Sequence, residues 1–235
     1  MNQDTIAAIA TPPVPSAIGI LRVSGPQAVQ AASACFRPAA GNRLEDHPAR
    51  KLVYGSLLDA QGEVIDQVLC TYSRGPGSYT GEDTAELQCH GSPMVLTLGL
   101  EALFAQGVRQ AGPGEFTRRA LLNGRLDLTQ AEAVVDLIDA ETAAAARNAA
   151  AQLDGGLRRV LEPVQEELLE VTSRFYAVVD YPDEDIDPFE LTQFAGQLDE
   201  DAKALNRLLA TCHRGRIVKD GLSAVILGSP NAGKS

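Results

Sequence analysis

The chain has 235 residues, of which 45% are hydrophobic, so it is long enough for one or two domains with a substantial core. Its formal net charge is −11, and most of that charge falls after residue 120, where 20 Asp and Glu stand against 11 Lys and Arg. Because an acidic surface repels phosphate backbones, this charge excludes indiscriminate binding to nucleic acid. An RNA substrate would need a local patch, a further segment or a partner protein.

The four cysteines contain no C-x-x-C pair, so the sequence indicates neither a zinc site nor a disulfide framework. Reduced thiols are typical of cytosolic proteins. The N-terminus lacks the basic region and apolar stretch of a signal peptide, and no apolar run is long enough to span a bilayer. We therefore expect a cytoplasmic protein without a membrane segment.

The first 120 residues show mixed α and β patterns. Apolar and alternating runs predict strands at residues 17–23, 52–58, 64–72 and 84–89. Ser24-Gly-Pro26 predicts the start of a helix that runs to about residue 35, and apolar residues across 93–105 predict a buried helix. Gly and Pro crowd residues 74–81 and 112–114, which we interpret as loops.

After about residue 120 the apolar spacing becomes that of helices. Thr129 followed by Glu132 has the pattern of a capping box, and an Ala-rich run over 143–151 is predicted to continue the same helix.

A second apolar stripe covers residues 157–178, where Pro163 is expected to start or kink the helix. Asp187-Pro-Phe-Glu190 predicts the start of a third helix, which runs to about Cys212. Three helices are therefore expected before residue 213.

The last residues have the pattern of a phosphate-binding loop. Gly228-Ser-Pro-Asn-Ala-Gly233-Lys234-Ser235 fits G-x-x-x-x-G-K-[ST] and follows a compact apolar strand predicted at 222–227. Lys234 would meet the β- and γ-phosphates, and the Ser235 hydroxyl would bind Mg²⁺. The alternative is a Gly-rich turn with a solvated lysine, which the preceding strand disfavours. Because such a loop works with the helix that follows it, we expect this chain alone to bind nucleotide weakly and not to hydrolyse it.

Five segments, taken in order along the chain, resemble the MnmE (TrmE) family of tRNA-modifying GTPases. The most specific is Gly112-Pro-Gly-Glu-Phe-Thr-Arg-Arg-Ala120, which runs on through residues 123–133. The others are residues 4–13 with 19–25, 78–83 with 86–91, 181–187, and the phosphate loop at 228–235.

The resemblance implies three parts. Residues 1–120 would form an α+β folate-binding and dimerisation domain, similar in fold to the glycine-cleavage T proteins. Residues 121–215 would be the first part of an all-α helical domain. Residues 216–235 would be the first strand and phosphate loop of an α/β Ras-like G domain inserted into that helical domain.

The resemblance also implies a function. The family acts as a homodimer with the FAD-containing partner MnmG (GidA) and adds an aminomethyl-type group, aminomethyl or carboxymethylaminomethyl, to C5 of the wobble uridine of certain tRNAs. A 5-formyl- or 5,10-methylene-tetrahydrofolate would supply the carbon. GTP would be the substrate of a hydrolysis that needs K⁺ and Mg²⁺.

Three residues match the family's folate contacts. Arg22 could pair with a carboxylate or a carbonyl, although a strand-end arginine in solvent is the alternative. Glu86 matches the acid that holds the pterin by accepting two N–H bonds, although it could be an ordinary surface glutamate. Arg125 stands where the family commonly has lysine, which keeps the charge but changes the donor geometry.

In the phosphate loop, the resemblance assigns Asn231, Ala232, Gly233, Lys234 and Ser235 to the GTP phosphates. Asn231 matches the asparagine that binds K⁺ in the family, where the ion would place positive charge beside the transferred phosphate. The alternative is a turn-forming asparagine.

Two other features are assigned no chemistry. Cys89 and His90 are adjacent on a predicted strand and should point to opposite faces, so they cannot easily share a ligand. The acidic run at 183–187 directly precedes a helix start, where capping and dipole complementarity explain it.

Two alternative functions stay open. A folate-dependent one-carbon transferase of the glycine-cleavage type would need no phosphate loop, so residues 228–235 count against it. A folate-binding dimerisation scaffold with a regulatory NTPase would need no direct affinity for RNA, which suits the acidic charge.

Overall fold

The computed structural model describes residues 4–180 and 191–221, together with Val225, Leu227 and Gly228. Contacts divide the chain into two compact units, Met1–Asp127 and Leu128–Ser235. The acidic run at 183–187 and the helix start at 187–190 lie outside the described residues. Of the strand predicted at 222–227, only Val225 and Leu227 are described, and neither is in a strand.

A seven-stranded sheet forms the centre of the first unit, in the order β3-β4-β5-β6-β2-β1-β7. Neighbouring strands are antiparallel except for the parallel pair β1 and β7. The strands are β1 (Ile6–Ile9), β2 (Ser16–Ser24), β3 (Phe36–Pro38), β4 (Val53–Leu58), β5 (Val64–Ser73), β6 (Thr84–Gly91) and β7 (Arg109–Gln110). The four predicted strands are confirmed, whereas the short β1, β3 and β7 were missed.

Three α-helices accompany this sheet. They are α1 (Ala28–Ala34), α2 (Pro93–Ala105) and α3 (Glu115–Leu122), with a 3-10 turn at Leu44–Asp46. The bounds of α2 agree with the prediction, and α1 begins slightly later than expected because Gln27 is its N-cap. The sequence did not predict α3, whose N-cap Gly114 has a left-handed backbone with φ of 66°.

The two faces of the sheet differ in burial. Leu21 and Val23 on β2, like Leu87 on β6, are fully buried in the core. Because side chains alternate along a strand, Arg22 and Glu86 lie on the other face, where both are only partly buried. That second face carries the candidate site.

Four helices are found in the described part of the second unit, instead of the three predicted. They are α4 (Leu128–Ile138), α5 (Ala143–Leu153), α6 (Gly156–Asp180) and α7 (Leu191–Asp220). The Ala-rich run was wrongly assigned to the preceding helix, because Thr142 starts a new one by accepting a 3.1 Å hydrogen bond from the Ala145 N–H.

Other helix ends also differ from the predictions. Thr129 lies inside α4 and is therefore not its cap. Pro163 lies within α6, so this helix does not begin there. The last helix, α7, continues through Asp220, past the predicted end at Cys212. None of the helices in the described ranges is long and apolar enough to cross a membrane.

Helix α2 approaches the sheet closely at Gly99. A Cβ added there would lie 2.6 Å from Leu21 Cδ1 and 3.1 Å from Leu57 Cδ2, and both leucines are fully buried. We predict that Gly99→Ala lowers the free energy of unfolding by ~1 kcal/mol, since overpacking outweighs the gain in helix propensity. Chemical denaturation measures this change.

Thr97→Ala is the matched control, because Thr97 lies on the exposed side of the same helix. It should leave the stability unchanged or raise it. A more stable Gly99→Ala protein would contradict the close packing of α2 on the sheet.

Candidate folate site on the second sheet face

Arg22 and Glu86 form a cross-strand ion pair. The antiparallel register of β2 and β6 places them directly opposite each other. Arg22 Nε donates a 2.8 Å hydrogen bond to Glu86 Oε1, and the two side chains remain 34% and 29% exposed. Arg22 is therefore not a strand-end residue directed freely into solvent, and Glu86 is not an unpaired surface glutamate.

Two aromatic rings lie beside this ion pair. The guanidinium carbon of Arg22 is 5.9 Å from the ring centroid of Tyr79 and 5.8 Å from that of Phe116. Both distances are within the range of cation–π attraction. The Tyr79 hydroxyl also lies 3.0 Å from Thr117 Oγ1, which connects the loop at residues 74–83 to α3.

The pair has unused hydrogen-bonding capacity. Among the residues that the structure describes, Glu86 Oε2 and the terminal nitrogens of Arg22 have no hydrogen-bond partner. A carboxylate of this kind accepts N–H groups, and a guanidinium donates to carbonyl or carboxylate oxygens. Tyr79 is 42% exposed, so its ring offers apolar surface to a flat heterocycle.

Arg125, the third predicted contact, is exposed and lies against the same loop. A Cβ added to Gly81 would be 3.1 Å from Arg125 Cγ, and Asn123 Nδ2 donates a 2.7 Å hydrogen bond to the Thr80 carbonyl. The structure thus brings Arg22 and Glu86 together. In the described part of the chain it shows no hydrogen bond or ion pair between Arg125 and that pair.

A network of charges centred on the buried Arg119 and Glu115 adjoins the loop. Arg119 is 5% exposed and donates to Asp4 Oδ1 at 2.8 Å, Glu82 Oε2 at 3.1 Å and Glu115 Oε1 at 3.1 Å. Arg109 bonds Asp4 and Glu115 from the other side, at 2.8 Å each. The network joins the N-terminal segment, the loop at 74–83, β7 and α3.

Sequence reasoning missed this network. The segment at 112–120 was recognised for its resemblance, but its charged residues were given no partners. The available signal was a pair of opposite charges, Glu115 and Arg119, at the i and i+4 positions of a possible helix.

The network favours the charged forms of Glu115 and Asp4. The hydrogen bond from Arg109 is the main cause that lowers the pKa of Glu115 to about 2, and burial opposes it. The Gly112 N–H, at 2.8 Å, and Arg119 add to the lowering. The pKa of Asp4 is also lowered, mainly by its hydrogen bond from Arg109.

The buried cysteines of the first unit are not poised as nucleophiles. Burial raises the pKa of Cys35 to about 11 and that of Cys89 to about 12. As predicted, Cys89 and His90 lie on opposite faces, since Cys89 is buried and the exposed His90 has Nδ1 2.7 Å from Asp66 Oδ1.

The described residues contain no group of three or more His, Cys, Asp or Glu that could hold a metal ion. The predicted GTP, K⁺ and Mg²⁺ contacts, at residues 231–235, lie outside the residues that the structure describes.

The second unit contains an apolar cavity of about 740 Å³ between α5, α6 and α7. Among the residues that the structure describes, leucine is the commonest in its lining, and none of these lining side chains is acidic or basic. These described residues therefore do not supply the groups that would hold a charged ligand such as folate or a nucleotide.

Two family models match the chain. Residues 5–125 match a family described as the GTP-binding protein TrmE N-terminus, and residues 128–227 match the MnmE helical domain. The sheet with its Arg22–Glu86 pair is thus a domain of the TrmE N-terminal class, followed by a helical domain of the MnmE type. The chain belongs to the MnmE (TrmE) family, as the resemblance predicted.

Similar full-length proteins are named tRNA modification GTPase MnmE. The one from Carboxydothermus hydrogenoformans is 44% identical over 236 residues, which cover 100% of this chain and 51% of the relative. Those from Clostridioides difficile and Chloroflexus aurantiacus are 43% and 45% identical, each over 99% of this chain and 50% of the relative. The chain therefore spans about half the length of these relatives.

The lowered pKa of Glu115 predicts a dependence of stability on pH. The usual pKa is 4.5 and the folded value is about 2, so its stabilising contribution is complete above about pH 4.5 and is lost as the pH falls towards 2. We predict that Glu115→Gln costs ~3 kcal/mol at neutral pH, because it breaks a buried ion pair. Below pH 4.5 the stability of the Glu115→Gln variant should decline less steeply than that of the wild type.

Denaturant titrations at pH 7, 5 and 3 measure this difference. Glu101→Gln, at an exposed position of α2, is the matched control and should follow the wild-type curve. Parallel curves for Glu115→Gln and the wild type would show that the network does not hold this charge.

Proposed function

We propose that the Arg22–Glu86 pair binds the pterin end of a tetrahydrofolate, with 5-formyl- or 5,10-methylene-tetrahydrofolate as the one-carbon donor. Glu86 Oε2 would accept N–H groups from the aminopyrimidine edge, and the terminal nitrogens of Arg22 would donate to a carbonyl or carboxylate. The observation that carries the proposal is this partly exposed ion pair with unused hydrogen-bonding groups beside Tyr79 and Phe116.

When bound, the folate would supply a one-carbon unit at the oxidation level of formyl or methylene. The residues of this chain would bind and orient it. Glu86 would hold the ring edge, and the two aromatic rings would exclude water from one side. Arg125, beside the neighbouring loop, would contact a more distant part of the ligand.

We further propose that the full-length protein is a GTPase of tRNA wobble-uridine modification. It would act in the cytoplasm as a homodimer with MnmG and would add the aminomethyl-type group at C5. The names of the relatives and the sequence at 228–235 support this proposal. They favour it over a stand-alone one-carbon transferase, which would need no phosphate loop.

The G domain would begin within residues 216–235. Asn231 would bind K⁺, Ser235 would bind Mg²⁺, and residues 231–235 together would surround the phosphates of GTP. These assignments, like the domain limits at 120 and 215, are predictions from the sequence.

Calorimetry with 5-formyl-tetrahydrofolate tests the folate proposal. The wild-type chain should bind it, and Glu86→Gln should raise Kd by about 30-fold, since a hydrogen bond to a charged group contributes ~2 kcal/mol. Asp66→Asn, which removes a carboxylate that bonds His90 on the same strand as Glu86, should bind normally. If Glu86→Gln binds the folate as tightly as the wild type, Glu86 is not part of the site. If the wild type does not bind the folate at all, the proposal is refuted.

GTP hydrolysis by the full-length protein tests the second proposal. Activity should be higher in K⁺ than in Na⁺, and Asn231→Ala should remove most of that difference. Lys234→Ala should abolish activity in both salts, because the phosphates lose their lysine contact. Hydrolysis by the wild type that is equal in K⁺ and Na⁺ would contradict the role of Asn231.

A further inference from the structure

We propose that Glu82 and Arg119 are positioning residues for the Arg22–Glu86 site, because their ion pair joins the two segments that carry Tyr79 and Phe116. The inference rests on the proposed function, since the site that they position is the proposed folate site. Neither residue forms a hydrogen bond or ion pair with Arg22 or Glu86 within the described structure.

One carboxylate connects three elements. Glu82 Oε2 accepts a 2.7 Å hydrogen bond from Ser24 Oγ on β2 and a 3.1 Å bond from Arg119 on α3. Glu82 itself lies in the loop at 74–83, shortly after Tyr79. The loop, the strand and the helix are therefore held at one point.

Because of the spacing of the residues, this anchor also orients the side chains of the site. Phe116 and Arg119 are at i and i+3 on α3, so they lie on the same side of the helix, and fixing Arg119 fixes the rotation that directs Phe116. Ser24 and Arg22 are two positions apart on β2, so they share a face of the sheet.

Other bonds of the loop end on the same two elements. Thr80 Oγ1 lies 2.7 Å from Ser24 Oγ, and the Thr80 carbonyl accepts a 2.7 Å hydrogen bond from Asn123, the C-cap of α3. Tyr79 adds the 3.0 Å contact to Thr117. The loop is thus aligned with β2 and α3 by polar contacts along its length.

The polar residues of the network are more deeply buried than the aromatic ring that they position. Thr80 is fully buried and Arg119 is 5% exposed, whereas Tyr79 is 42% exposed. The aromatic rings are therefore not buried deeply enough to anchor the loop by themselves. A buried ion pair is a weak source of net stability, but its directional bonds define one geometry. The network accordingly specifies where the partly exposed rings lie.

Two measurements on Glu82→Gln test the proposal. The first is the chemical shift of the Arg22 Nε–Hε group in ligand-free protein, assigned with Arg22→Lys, because nearby rings shift that resonance. The second is the Kd for 5-formyl-tetrahydrofolate. We expect the resonance to move and Kd to rise about tenfold, which corresponds to ~1.4 kcal/mol.

Asp66→Asn is the control and should change neither measurement, since its carboxylate bonds His90 instead. A double-variant cycle with Tyr79→Leu shows whether Glu82 acts through the ring, because the two effects should then be less than additive. If Glu82→Gln fails to fold, Ser24→Ala removes one bond to Glu82 together with the contact to Thr80, keeps the Glu82–Arg119 pair, and should give a smaller change of the same kind.

The outcomes separate the two proposals. A wild-type chain without affinity for the folate would refute the proposed function, and the Arg22 resonance would still decide the positioning role. An unchanged resonance and an unchanged Kd in Glu82→Gln would overturn the positioning role, even if the melting temperature fell, because the network would then serve stability alone.

Discussion

Arg119 lies buried among the carboxylates of Asp4, Glu82 and Glu115, which come from three separate parts of the chain. Removing a guanidinium from water costs several kcal/mol, which only close partners of opposite charge can offset. The N-terminal segment, the loop at 74–83 and α3 must therefore come together around it. The arrangement on the second face of the sheet depends on this requirement.

The two faces of the sheet differ in what covers them. One face is apolar and is packed beneath α1 and α2, where Gly99 allows the helix to approach Leu21 closely. On the other face Arg22, Glu86 and the rings beside them stay partly exposed. Core packing on the apolar face holds the strands in register. That register places Arg22 opposite Glu86 on the other face.

The negative charge of the chain is concentrated in its helical domain. The excess of negative charge lies after residue 120, in the part that matches the MnmE helical domain, and it disfavours direct contact with a phosphate backbone. A tRNA substrate would then have to be held by another part of the full-length protein or by a partner. The described part of the first unit instead carries the partly exposed Arg22–Glu86 pair.

The sequence by itself determined the elements with long, regular patterns. Local sequence patterns show which side of a segment is buried, because neighbouring residues alone define the pattern. Such patterns predicted β2, β5, β6 and α2. The change from α+β to helical character near residue 120 was also accessible in this way, whereas the family, and Arg22 and Glu86 as candidate residues, came from the resemblance of short motifs.

Only the tertiary structure decided which segments meet. The strands β1, β3 and β7 have four, three and two residues and are defined by pairing with other strands, β1 with both β2 and β7, so no local period could reveal them. The division between α4 and α5 depended on a single capping hydroxyl, that of Thr142. The contact of Arg22 with Glu86, and of Arg119 with Asp4, joins residues far apart in the chain, and such contacts are set by strand register and by the desolvation of charge rather than by local pattern.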